Sequence, residues 1–162
     1  MSLIGRALVV LHWLSGILLA VATAMGYVSA RDEGSLGAHI WLGFLFALVI
    51  GFTHAMTLFW FAGMGVGMRE AAAGRPEADG CLKRAAAMRR GVALPLGVAL
   101  VALMATVILG GGSHTKALSA TPHHAASIAA LVSGLFLNAL AARTIVAYEA
   151  LVREVESIIA AA

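Results

Sequence analysis

Four long stretches of this sequence carry no Asp, Glu, Lys or Arg. They run between Arg6 and Arg31, Glu33 and Arg69, Arg90 and Lys116, and Lys116 and Arg143. A helix crosses the hydrocarbon of a bilayer with about 20 apolar residues, and each stretch is long enough to supply them. Only 12% of the 162 residues are charged and 61% are hydrophobic, whereas average soluble domains are roughly 25% charged. Mean hydropathy is +0.94. The apolar–polar alternation of a membrane β-barrel is missing, and the Ala, Leu and Gly content suits helices. The expected fold is an all-α membrane protein, a four-transmembrane-helix up-down bundle embedded in the lipid bilayer. Spans are expected near 7–29, 36–63, 91–111 and 122–146, in a single domain of residues 1–162 with a helical C-terminal tail over 147–162.

Basic residues set the orientation. Arg6, Arg69, Arg75, Lys83, Arg84, Arg89, Arg90, Arg143 and Arg153 fall on the side of the two termini and the second loop, and only Arg31 and Lys116 lie opposite. Nine against two predicts both termini in the cytoplasm. The isoelectric point near 9.6 then reflects topology and anionic lipid, with no need of a nucleic-acid partner. Arg6, the apolar run and Val28-Ser29-Ala30 imitate a signal peptide. That run is longer than a usual signal-peptide core, so a retained first span is expected. Cys81 is the single cysteine, which excludes an intramolecular disulfide and a C-x-x-C-H haem attachment site.

The short turn "ARDEGSLG" makes the first two spans antiparallel neighbours. The connector around Gly74, Pro76 and Gly80 is expected to be partly helical. In "GGGSHTKALSATPHH" three glycines are expected to end the third span. Thr121 and Pro122 then start the fourth as N-cap and first-turn proline. The tail "AYEALVREVESIIAAA" places apolar residues at 148, 151, 152, 155, 158 and 159, with Glu149 and Arg153 as an i,i+4 pair. It reads as a continuation of the fourth span or as a helix that docks a partner.

The histidines fall into two tiers. Counting ~1.5 Å per residue from the first turn, His12 lies about 17 residues down the first span and His54 about 18 down the second. The two are predicted to meet on the cytoplasmic side, where a buried ionisable side chain is a functional candidate. A mutual hydrogen bond between neutral imidazoles is the alternative. His39, His123 and His124 lie within about a turn of the opposite surface. His39 and His54 share a helix face, since 15 residues differ by about 60° in phase, and Gly43 lies between them. The His12 face carries Ser15, Gly16, Thr23 and Gly26, small residues that either clear room for a ligand or let helices pack closely. On the fourth span, Ser127, Ala130, Gly134 and Ala141 follow the phase of His123, which favours it over His124 as the inward residue. His114 reads as a solvated loop residue.

"LVVLHWLSGILLAVATAMGYVSA", with His12, Trp13 and Gly26, resembles the first span of bacterial b-type di-haem membrane cytochromes. These include the cytochrome b subunits of the hydrogenase and formate dehydrogenase type. "GAHIWLGFLFALVIGFTHAMTLFWF" resembles their second span, a histidine followed four residues later by glycine, here His39 and Gly43. The two motifs cover roughly a third of the chain. Many members place two well-separated histidines on the last span, whereas here His123 and His124 are adjacent and the deeper half offers Asn138. His54 of the second span stands where that ligand would be sought.

The resemblance implies haem b with histidine at both axial positions, in one or two copies, in a bacterial inner membrane. The ligands it implies are His12 and His54 for one haem, and His39 with His123 or His124 for the other. Such iron favours electron transfer over substrate binding, which implies a quinone and a redox partner subunit, within a homo- or hetero-oligomer. Arg6, Arg69, Arg89 and Arg90 on one side, and Arg31 and Lys116 on the other, are the cations available to haem propionates. Two other functions compete. A copper- or zinc-handling protein would use His39, His123 and His124, with His114 as a further candidate and Met25, Met56, Met64 and Met104 as soft ligands. A cofactor-free membrane anchor or assembly subunit would use the small-residue faces and the basic loop. No nucleophile–base triad, paired carboxylates or phosphate loop is present, and every acidic residue falls in a loop or the tail.

Overall fold

The structure, a computed structural model, describes residues 1–29 and 33–161. Four helices make up almost all of it: α1 Leu3–Ser29, α2 Leu36–Ala71, α3 Asp79–His114 and α4 Ala120–Ala160. Short 3-10 turns at Glu33–Ser35 and Pro76–Ala78 precede α2 and α3. Each helix is long and apolar enough to cross a membrane, so the chain is an all-α, multi-pass membrane bundle. Inside a bilayer no water replaces lost backbone partners, and a helix satisfies its own. That is why glycine- and valine-rich segments that would be poor helices in water are helical here. Trp13, Trp41, Phe52, Phe59, Leu94, Val101 and Phe136 point outward, where lipid tails surround an apolar bundle.

Helices α1 and α3 each pack on both α2 and α4, and α2 and α4 face each other across the bundle centre. One end of the bundle carries the connections after α1 and α3, and is called the loop end below. The other, with both chain termini and the α2–α3 connector, is the terminal end. The 36, 36 and 41 residues of α2, α3 and α4 span ~54–62 Å at 1.5 Å per residue, about twice the thickness of the hydrocarbon. The excess lies at the terminal end. There Trp60, Phe61, Met68, Cys81, Ala85, Val92, Ile145, Tyr148, Leu151 and Val155 form the main apolar core. The tail thus continues α4, with Val152, Ile158 and Ile159 packed against that core. Arg84 and Glu154 pair across α3 and α4, and Glu149 lies 4.0 Å from Arg153.

Boundaries differ from expectation in two places, each for a physical reason. The run Gly110-Gly111-Gly112 lies inside α3, which continues to His114. These glycines admit neighbours: a Cβ on Gly110 would meet the His123 ring, and one on Gly112 would meet Leu118. Helix α4 starts at Ala120 with Ser119 in the extended N-cap conformation. Thr121 and Pro122 therefore sit within its first turn, where a missing N–H costs nothing. The α2–α3 connector turns at Gly74, whose φ of +76° suits a residue without Cβ.

Candidate functional site

The first tier gathers at mid-bundle around Asn138 of α4. His12 and His54 are buried, their ring centroids 5.7 Å apart and their planes 27° apart. The Asn138 amide oxygen accepts from His12 Nδ1 at 2.8 Å and from His54 Nε2 at 3.3 Å. His12 Nε2 is hydrogen-bonded to Thr57 Oγ1 at 2.9 Å. With Nδ1–H given to Asn138, Nε2 is left to accept from the Thr57 hydroxyl, whose oxygen also lies 2.8 Å from the Thr53 carbonyl, and Ser15 Oγ donates to Thr53 Oγ1 at 3.3 Å. Both ring nitrogens of His12 are therefore engaged, and ligation of iron by this ring would break one of its bonds. His54 Nδ1 and Asn138 Nδ2 are buried without a partner. The small residues at this level serve close packing: a Cβ on Gly16 would stand 3.3 Å from Leu135 of α4, and one on Gly134 would collide with Leu19 of α1.

The second tier is built differently. His39 of α2 and His123 of α4 face each other across the bundle centre at a ring-centroid distance of 6.4 Å. Helices α1 and α3 flank them, each with a glycine under a ring. A Cβ on Gly26 would lie 3.2 Å from His39 Cε1, and one on Gly110 would lie 2.9 Å from His123 Cε1. His123 Nδ1 donates to the Thr106 carbonyl at 3.2 Å. That bond fixes the ring and leaves Nε2 with its lone pair, the arrangement common to metal-bound histidines. His39 Nδ1 is buried with no partner.

Around this pair opens a cavity of about 600 Å³, within the range of pockets that hold cofactors. All four helices line it. Its lining ends at Leu19, Ile50, Leu103 and Ala130, so it stops short of His12, His54 and Asn138. The structure thus brings together the two expected histidine pairs but gives only the second pair room for a ligand.

Of the adjacent histidines, His123 faces His39, as helical phase favours, while His124 lies 5.7 Å from the Tyr27 ring. Both line the cavity, and so do His114, exposed at the end of α3, and Lys116. Arg6 and Arg90 are exposed at the terminal end, outside the cavity lining. Arg31 lies outside the described residues. Among the described residues no three His, Cys, Asp or Glu side chains gather to hold a metal ion. Sequence reasoning missed Thr106 and Gly110. Both act on the His123 ring of the facing helix α4, and nothing local in the sequence of α3 marks them.

Comparison with protein families, with curated proteins and with solved structures finds no match.

Proposed function

We propose that this chain is a membrane b-type cytochrome that carries electrons between a quinone and a redox partner. It holds one haem b between His39 and His123. The observation that carries this reading is that pair, 6.4 Å apart across a cavity of about 600 Å³. Two imidazoles on one ion, with metal–nitrogen bonds of ~2.0–2.1 Å, have ring centres about 6 Å apart, and the pair matches. A bare copper or zinc ion needs three or four side-chain donors, while a macrocycle supplies its own in-plane nitrogens and needs only two. The donor set and the glycine cradles fit haem. Held by His39 and His123, a haem b would supply a one-electron couple, which suits electron transfer. His39 and His123 fix its position, Thr106 orients His123, and Gly26 and Gly110 let both rings stand close to the neighbouring helices. His124 beside Tyr27 offers a polar ring at the cavity wall to a quinone head. His12, His54 and Asn138 act as a polar cross-brace between α1, α2 and α4.

Orientation belongs to the same reading. The basic residues at the terminal end support a cytoplasmic location for both termini in a bacterial inner membrane. The test is the visible spectrum of protein purified from haem-replete cells, with haem counted per chain. Wild type should show a Soret band and acid-extractable haem b. His39→Ala and His123→Ala should lose it, while His124→Ala, His12→Ala and His54→Ala keep it. A colourless wild type defeats the proposal. Haem lost with His12 or His54 and retained without His39 moves the site to the mid-bundle tier.

A further inference from the structure

A second unsatisfied cluster lies at the terminal end, independent of the histidines. Arg89 of α3 lays its guanidinium against Gly65 of α2, in the space that a Cβ there would fill. Its Nε is buried without a partner. No carboxylate offsets its charge, since the ion pairs found among the described residues are Arg84–Glu154 and Arg153–Glu149. On α4, Tyr148 is 0% exposed. Its ring packs against Trp60 at 5.7 Å and Phe61 at 5.2 Å, yet its hydroxyl is buried without a partner. Phe61, Gly65 and Arg69 follow at four-residue spacing on α2, so the ring beside the phenol, the slot of the guanidinium and a second cation share one helix face.

Buried polar groups in folded proteins are nearly always hydrogen-bonded, and the exceptions commonly mark a missing water or ion. Here the unmet groups are a guanidinium, which can only donate, and a phenol, whose O–H can donate. The missing partner is therefore an acceptor, and the uncompensated guanidinium of Arg89 makes it an anion. Water would satisfy one hydrogen bond and leave the charge. Guanidinium forks match phosphate and carboxylate oxygens. Depth narrows the choice. Arg69 is the first charge after the long neutral stretch of α2, and Arg89 and Arg90 are the last before that of α3. Both arginines thus sit where the apolar span ends, at the level of lipid headgroups. Basic pockets between membrane helices at this depth take anionic headgroups.

We propose that Arg89, Arg69 and Tyr148 form an oxyanion site for the phosphate group of an anionic phospholipid. Arg89 is partly exposed and meets the phosphate first, with the phenol behind it. Gly65 is the slot that holds the guanidinium in place. Inorganic phosphate carries the same oxygens, so the source is separated by experiment.

The full chain in neutral detergent would be titrated with phosphatidylglycerol, phosphatidylcholine or inorganic phosphate. Retention would be read by native mass spectrometry and stability by thermal unfolding. Phosphatidylglycerol should be retained and should raise the midpoint, and phosphatidylcholine should do neither. Arg89→Gln should weaken retention roughly tenfold or more, the size of one lost charge-assisted bond, and Tyr148→Phe should weaken it less. Without lipid, Arg89→Gln should be at least as stable as wild type, because it removes an unpaired charge. Its loss of binding is then not a loss of fold. If inorganic phosphate protects as well as the lipid does, the site takes a soluble oxyanion. No protection by either, or unchanged lipid retention in Arg89→Gln, overturns the site.

Discussion

The two histidine tiers use the same residue type on neighbouring or facing helices, yet they differ in what surrounds the rings. At mid-bundle, Asn138 and Thr57 occupy the nitrogens of His12, and Leu19 and Leu135 close the space around Gly134 and Gly16. At the loop end, His123 spends only Nδ1, on a backbone carbonyl, and glycines leave the space beneath both rings open. Far from water a polar ring must find a partner within the protein, because an unmade hydrogen bond costs about 1–3 kcal/mol. The comparison teaches that a histidine pair becomes a ligand site through its neighbours. An amide and a hydroxyl close one pair into a brace, and two glycines and a carbonyl hold the other open.

The sharpest way to break this contrast is to fill the open tier. Gly110→Leu would place its Cβ within 2.9 Å of His123 Cε1 and push the rest of the side chain into the cavity. Haem per chain, counted after acid extraction, should fall to near zero. Gly97→Ala is the control on the same helix, since its Cβ meets nothing within 4 Å and Gly97 lies outside the cavity lining, so occupancy should stay at the wild-type level. Full occupancy in Gly110→Leu would mean that the space beneath His123 is not used.

The closed tier answers to a different change. Asn138→Ala removes the oxygen that accepts from both His12 and His54. Two rings lose a partner, and the bundle should lose about 1–2 kcal/mol. That lies toward the upper end for polar contacts in membranes, which average nearer ~0.6 kcal/mol. Denaturant unfolding in mixed micelles measures it, and haem content should not change. An equal loss of haem and stability would tie Asn138 to the cofactor and erase the distinction between tiers.

How much of this was legible in the sequence follows from which signals are local. Charge-free stretches bounded by charged residues gave four spans, because the hydrocarbon thickness fixes how long such a stretch must be. The depths of His12 and His54 followed from a constant rise per residue across a short turn, and the choice of His123 over His124 from helical phase. What stayed hidden depends on facing helices. That Gly110 of α3 cradles a ring from α4 has no local mark, so its glycine run was read as a helix end. That Asn138 would draw two imidazoles onto one oxygen needed the α1–α2–α4 arrangement. The small-residue stripe on α1 was ambiguous for the same reason. The structure divides it, with Gly16 packing on α4 and Gly26 beneath His39.

The two ends of the bundle also differ in how they turn, and this carries the smallest effect. Each has one described residue with positive φ: Gly74 at +76° at the terminal end, and Lys116 at +60° at the loop end. Left-handed backbone costs a residue with Cβ about 1 kcal/mol or slightly more, and glycine almost nothing. The turn after α3 is held by Thr115 N donating to the Gly111 carbonyl at 3.0 Å, Lys116 N to Ser113 at 3.1 Å and Leu118 N to Gly112 at 3.0 Å. None of these bonds needs a lysine side chain. Lys116→Gly should therefore stabilise the bundle, by ~0.5–1 kcal/mol once the greater freedom of glycine in the unfolded chain is offset. Gly74→Ala should destabilise it by a similar amount. Thermal unfolding of the two variants side by side measures both signs. A Lys116→Gly variant less stable than wild type would show that the lysine side chain, at the rim of the His39–His123 cavity, contributes more than the strain of its backbone costs.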